Sequence, residues 1–154
     1  MRGGVLARTN RLLTDLDTGL FTSCLYLSID LARRRVHLAS AGHPPPLLRH
    51  PDGRTETLEP PSGLLLGIDP AAEYQATEVS LPPGAVLALY TDGLVETPGA
   101  HLDDGIADLA GRLSRAPHRS MDDLADALVR PHERTDQRQD DIALLVIGTP
   151  PDDG

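Results

Sequence analysis

One cysteine stands among 154 residues, tryptophan is absent, and aromatic residues make up only 3% of the chain. A single thiol, Cys24, excludes an internal disulfide framework and any thiolate zinc cluster. Lying in the run Phe21–Ile29, it reads as a buried structural thiol rather than a nucleophile. With so few aromatics, the core has to be built from Leu, Val, Ile and Ala, so its packing depends on interlocking aliphatic side chains. No apolar run approaches the roughly 18 to 20 residues that a spanning helix needs. The opening stretch Met1–Asn10 is interrupted by polar residues where a secretory signal would be apolar, which makes a cytoplasmic location the default expectation. Basic residues are outnumbered 14 to 23, and the net charge of −9 excludes the basic footprint that nucleic acid or an acidic membrane surface requires. Glycine-rich nucleotide-binding patterns, internal repeats and low-complexity tracts are also missing.

What is present reads as one α+β domain with a largely antiparallel sheet. Val5, Leu6, Leu12, Leu13 and Leu16 recur at helical spacing, which predicts an amphipathic helix over residues 4 to 16. Phe21 to Asp30 and Arg35 to Ser40 form a hairpin across the turn Leu31–Arg34. Its arginine run Arg33–Arg35 reads as exposed charge at a turn rather than a phosphate site. Gly42 and Pro44–Pro46 stop strand pairing, because proline supplies no N–H. Residues 47–49 and 55–58 flank the turn His50-Pro-Asp-Gly53 as a second hairpin, and Pro60–Gly63 reads as loop. A half-buried strand follows over Gln75–Leu81, then a fully apolar central strand over Ala85–Thr91. Helices are expected over Asp103–Leu113 and Met121–Val129, the second announced by Ser120 and Asp123. A polar linker over Arg130–Gln139 precedes the last strand, Ile142–Ile147. The domain is expected to span residues 1–149, with 150–154 as a disordered tail.

Two carboxylates sit where apolar strands end. Asp92 closes the run Val86–Thr91 and is followed by Gly93, and the pair Asp140-Asp141 opens the last strand. Acids held at the tips of core strands repel one another unless a cation lies between them, so a divalent-metal site is the natural inference. Asp-Gly is equally the commonest turn dipeptide, and an ordinary turn explains Gly93 as well as a metal centre does. Of the neighbouring pair, only one side chain readily faces such a site, because adjacent strand residues point to opposite faces. Glu96 either reaches the metal through water or caps the corner in solvent. His43 reads as a corner lock rather than a general acid, and the other five histidines lack ligand spacing.

The blocks Ala41-Gly-His-Pro-Pro-Pro-Leu-Leu48, Gly63–Ile68, Tyr90-Thr-Asp-Gly-Leu-Val-Glu96 and Asp140-Asp-Ile-Ala-Leu-Leu-Val146 occur in that order. Together they resemble the metal-dependent (PPM, or type 2C) protein serine/threonine phosphatases, in the bacterial branch of stage II sporulation protein E and RsbU-like regulators. The resemblance covers about Thr22 to Ile147. It implies a two-sheet sandwich flanked by helices and hydrolysis of phosphoserine or phosphothreonine on a regulatory partner protein, of the anti-sigma antagonist type. It also implies Mn²⁺ or Mg²⁺ as cofactor, two ions in the family, with Asp92 and Asp140 as metal ligands. The family's early Gly-Asp and Asp-Val-x-Gly-His-Gly motifs, which carry the acid bridging the two ions, do not occur in this sequence. The expectation is therefore the C-terminal portion of such a domain, with its first strands missing and at most one weak metal site. Two further readings stand beside a truncated enzyme: a non-catalytic phosphatase-like binding module, and a start assigned downstream of the true one.

Overall fold

The structure, a computed structural model, describes residues 4–117, 120–133 and 141–151. The chain divides into two compact units, residues 1–45 with 59–81 and residues 46–58 with 82–154.

The first unit opens with helix α1, Gly4–Asp15. Its buried stripe differs from the one the leucine spacing suggests: Leu6 and Asn10 are buried, whereas Leu12 and Leu16 are 66% and 70% exposed. Leu6, Asn10 and Leu13 lie at i, i+4 and i+7, so one face of the helix still meets the core. Asn10 is fully buried with both ends of its side-chain amide hydrogen-bonded: Nδ2 donates to the Asp69 carbonyl at 2.7 Å, and Oδ1 accepts the Gly67 N–H at 2.8 Å. Periodicity alone cannot find such a residue, since a buried amide interrupts the apolar pattern.

Strands β1 (Cys24–Asp30) and β2 (Arg35–Ala41) form the expected hairpin, paired from Cys24↔Ala41 to Asp30↔Arg35. β1 starts later than residue 21 because Thr22 bridges Leu66 instead of continuing the ladder. The turn is made by the Asp30 carboxylate accepting the Arg33 N–H, with Arg34 in the left-handed region. Arg33 and Arg35 pair with Asp30 and Glu78 at the exposed surface, as an ordinary charge run does.

In the second unit, strands β3 (Leu47–Arg49) and β4 (Thr55–Thr57) flank the turn at Gly53, whose φ of 92° only glycine adopts without strain. Back in the first unit, β2 is bordered by two more strands. β5 (Ser62–Gly63) runs parallel to it at Ser40–Ala41, and β6 (Thr77–Ser80) runs antiparallel to it over Arg35–Leu38. The loop expected at Pro60–Gly63 thus holds a two-residue strand, too short to leave any period in the sequence. Gln75–Leu81 pairs only over its middle four residues.

Strand β7 (Val86–Tyr90) lies between β3 and β8 (Leu144–Gly148), all antiparallel, in the order β4-β3-β7-β8. Val86, Leu87 and Ala88 are completely buried, as a central strand should be. Helix α2 (Leu102–Arg115) presents Ile106, Leu109 and Leu113 to this core, and helix α3 (Met121–Glu133) adds Leu124 and Leu128. Ser120 Oγ caps α3 by accepting the Asp123 N–H at 3.0 Å. α3 runs past Val129 to Glu133, into the segment expected as linker. Pro131 lies in its last turn, where the missing N–H forfeits one bond without ending the helix. Residues 134–139 of that expected linker lie outside the described part.

The core is aliphatic as composition requires. Tyr74 and Tyr90 are the only buried aromatics among the described residues, with Tyr26 partly buried against the first unit's core, and the single Phe, Phe21, is exposed. No helix among the described residues is long and apolar enough to cross a membrane.

Asn10→Ala removes two buried hydrogen bonds and leaves the Gly67 N–H unpaired, so we expect a loss of about 2 to 4 kcal/mol. Urea denaturation of the two forms, with the midpoint lowered at unchanged slope, checks this.

Candidate metal centre

Asp92 owes its position to the way β7 ends. The β7–β8 ladder runs in register from Val86↔Gly148 to Tyr90↔Leu144. One residue further, Thr91 N–H donates to the Ala143 carbonyl at 3.1 Å. Asp92–Leu94 then forms a single 3₁₀ turn. Leu94 N–H donates to the Thr91 carbonyl at 3.0 Å, and the Asp92 carbonyl accepts the N–H groups of Val95 and Glu96 at 3.0 and 2.8 Å. Gly93, Leu94 and Val95 are buried, whereas Asp92 is half-buried and Glu96 is exposed. Gly93 is not among the residues with positive φ, so the corner does not depend on left-handed backbone there.

The turn is braced from α2. A Cβ added to Gly105 would overlap the Val95 carbonyl, so helix and turn meet backbone to backbone. Tyr90, 3% exposed, sits just before the site. Burial raises its phenol well above the usual range, and the Asp92 charge adds to the shift. The group stays neutral at any ordinary pH.

The start of β8 lies beside this turn. Thr91 Oγ1 accepts the Ala143 N–H at 2.9 Å and has the carbonyls of Asp141 and Ala143 at 3.3 and 3.4 Å. Asp141 is exposed. Asp140, the other expected ligand, lies outside the described residues. Among the described residues, no three His, Cys, Asp or Glu side chains gather as a metal would need. No basic side chain forms an ion pair with Asp92 among them either. A half-buried carboxylate in that state is a hard oxygen donor that fits Mn²⁺ or Mg²⁺, but one such group holds an ion weakly.

The remaining candidates take structural places in the first unit. His43 Nδ1 lies 3.1 Å from Ser23 Oγ, its N–H donates to Ser40 Oγ at 3.1 Å, and its carbonyl accepts from that hydroxyl at 3.3 Å. These bonds fix the corner before the prolines, as a lock does. The imidazole also lines a hollow of about 240 Å³ with Ser40, Pro45, Glu59 and Pro60. His37 contacts Glu78 at 3.2 Å, on paired strands of the same sheet, and forms no ligand cluster.

The family model described as Stage II sporulation protein E (SpoIIE) matches residues 2–150. The chain belongs to this family. The SpoIIE-family chain is 30% identical over 122 residues to Phosphoserine phosphatase RsbP of Bacillus subtilis (strain 168), covering 67% of this chain and 29% of RsbP. Its fold matches the RsbU and RsbW domains of Rv1364c from Mycobacterium tuberculosis with a TM-score of 0.84 and 26% identity, over 99% of this chain and 44% of that one. It also matches the manganese-presoaked phosphatase domain of the cell fate determinant SpoIIE from Bacillus subtilis, with a TM-score of 0.71 and 18% identity, over 99% and 67% of the two chains. The two largely antiparallel sheets and their helices are therefore the phosphatase-domain fold. The SpoIIE-family chain spans under a third of the length of RsbP and under half of the mycobacterial protein.

The sequence missed the Thr91 hydroxyl. Its signal is a hydroxyl residue placed immediately before an acid at the end of an apolar run.

Cys24 is half-buried, and burial raises its thiol above the ordinary value. The thiolate is the reactive form, so at pH 8 its reaction with a disulfide reagent should be slower than that of glutathione and should speed up in urea. Absorbance at 412 nm with Ellman's reagent reads both rates.

Proposed function

We propose that residues 1–149 act as a single phosphatase-type domain whose chemistry is metal-dependent hydrolysis of phosphoserine or phosphothreonine on a regulatory protein, of the anti-sigma antagonist type. Asp92 and Asp140 hold the ion in this reading. Its single strongest support is the rung at Thr91, which keeps the beginning of β8 beside the Asp92 turn. A divalent ion supplies a water of lowered pKa and offsets phosphate charge. The chain's own groups do the rest of what can be assigned. The 3₁₀ turn fixes the backbone that carries the Asp92 carboxylate. Membership of the SpoIIE family and the likeness to Phosphoserine phosphatase RsbP support the substrate class.

A second reading has its own observation. With no three acidic, imidazole or thiol side chains gathered among the described residues, a module that binds a phosphorylated regulator without hydrolysing it also fits. Turnover separates the two.

Calorimetry with Mn²⁺ on the 154-residue chain should give at most one site, with a Kd on the order of 10⁻⁴ M or weaker, abolished by Asp92→Asn. Mn²⁺-dependent release of phosphate from a phosphoserine peptide, lost in Asp92→Asn, supports hydrolysis, and binding of the peptide without release supports the second reading. Two tight sites would show that other acids such as Asp141 or Glu96 complete a binuclear centre. No binding at all would return Asp92 to an ordinary turn residue.

A further inference from the structure

An antiparallel hydrogen-bonded pair normally exchanges two backbone bonds, each residue giving an N–H and a carbonyl. Thr91 and Ala143 depart from that rule. Thr91 N–H donates to the Ala143 carbonyl as usual, but Ala143 N–H donates to the Thr91 hydroxyl rather than to its carbonyl. The Thr91 carbonyl is thereby released to accept Leu94 N–H, the first bond of the turn that carries Asp92. Without the hydroxyl, Ala143 N–H loses the partner it has here, and the Thr91 carbonyl, already bonded to Leu94 N–H in the turn, would have to take a second donor from the ladder to replace it. The hydroxyl also carries a proton, and the carbonyls of Asp141 and Ala143 are both within its reach. One side chain thus reaches two residues of the segment before β8, Asp141 and Ala143.

We propose that Thr91 is a positioning residue for the Asp92 centre: its hydroxyl replaces a backbone carbonyl in the last β7–β8 rung, so the chain turns at Asp92 while Asp141 and Ala143, just before β8, stay attached. The proposal rests on the reading of Asp92 as a metal ligand. It does not require that Thr91 touch the ion.

The same ladder contains its own control. At the far end, Thr149 N–H donates to the Ala85 carbonyl at 2.9 Å, and Ala85 N–H donates to Thr149 Oγ1 at 2.9 Å. Thr149 in turn donates to the Pro82 carbonyl at 2.8 Å. Ala85 is six residues before Thr91, roughly 20 Å along an extended strand. Removing the Thr149 hydroxyl therefore damages the same sheet in the same way, remote from Asp92.

The test compares the wild-type chain with Thr91→Val, Thr91→Ser and Thr149→Val. Amide hydrogen exchange at Ala143, Mn²⁺ affinity by calorimetry, and urea midpoints are measured for each. Thr91→Val should speed exchange at Ala143 and weaken Mn²⁺ binding about 10- to 100-fold, the range seen when a group orienting a metal ligand is removed. Thr91→Ser should restore both. Thr149→Val should lower the urea midpoint and leave Mn²⁺ affinity unchanged. If Thr91→Val fails to fold, Thr91→Ala removes the same hydroxyl with less bulk and carries the same test. Faster exchange with unchanged affinity overturns the positioning role while leaving the metal reading intact. Equal weakening by Thr149→Val overturns it as well, since general stability then explains the effect. A wild-type chain that binds no Mn²⁺ overturns the metal reading itself, and the role of Thr91 falls with it.

Discussion

A strand sunk in an aliphatic core has no water to satisfy its peptide groups, so every N–H and carbonyl must find a partner within the protein. In the second unit that demand falls on Val86–Tyr90, three of whose residues are completely buried. Neighbours on both sides meet it over the strand itself. The difficulty comes at the ends, where the chain has to leave the sheet without abandoning a donor. Both ends are closed by threonine hydroxyls, Thr91 at one and Thr149 at the other. The acid at the tip of β7 is therefore ordered by the satisfaction of its neighbours rather than by any bond to its own carboxylate.

Much of this was legible from sequence because the physical signals were strong and local. The period-two and fully apolar runs gave the hairpins and the central strand. Ser120 announced its helix, and the prolines after His43 marked the end of pairing. What escaped depended on partners distant in sequence. Asn10 is buried by groups at positions 67 and 69, so a polar residue occupies what the leucine pattern suggested was filled by Leu12 and Leu16. The parallel strand at Ser62–Gly63 exists only because β2 offers it an edge. α3 outlasted its expected end because an established helix tolerates a proline in its last turn.

The site was legible in a different sense. Asp92 stands out in the sequence because a charge at the end of an apolar run conflicts with its surroundings, and such conflicts concentrate where a chain does chemistry. The ordered motif blocks gave the family, which the match over residues 2–150 bears out. The role of the residue before the acid was invisible, since a threonine at the end of a strand also suits β propensity. Only the bond directions separate a strand-forming threonine from one that lends its hydroxyl to the ladder.

The contact between Gly105 and the Val95 carbonyl has a mechanical meaning. Side chains absorb small displacements by changing rotamer, so most helix–loop contacts have slack. Two backbones in direct touch have none, because neither peptide has a torsion to spare without breaking its own hydrogen bonds. The turn bearing Asp92 and the first turn of α2 therefore have little room to move independently at this point. A shift of that helix meets the backbone of the turn first and reaches the carboxylate only through it.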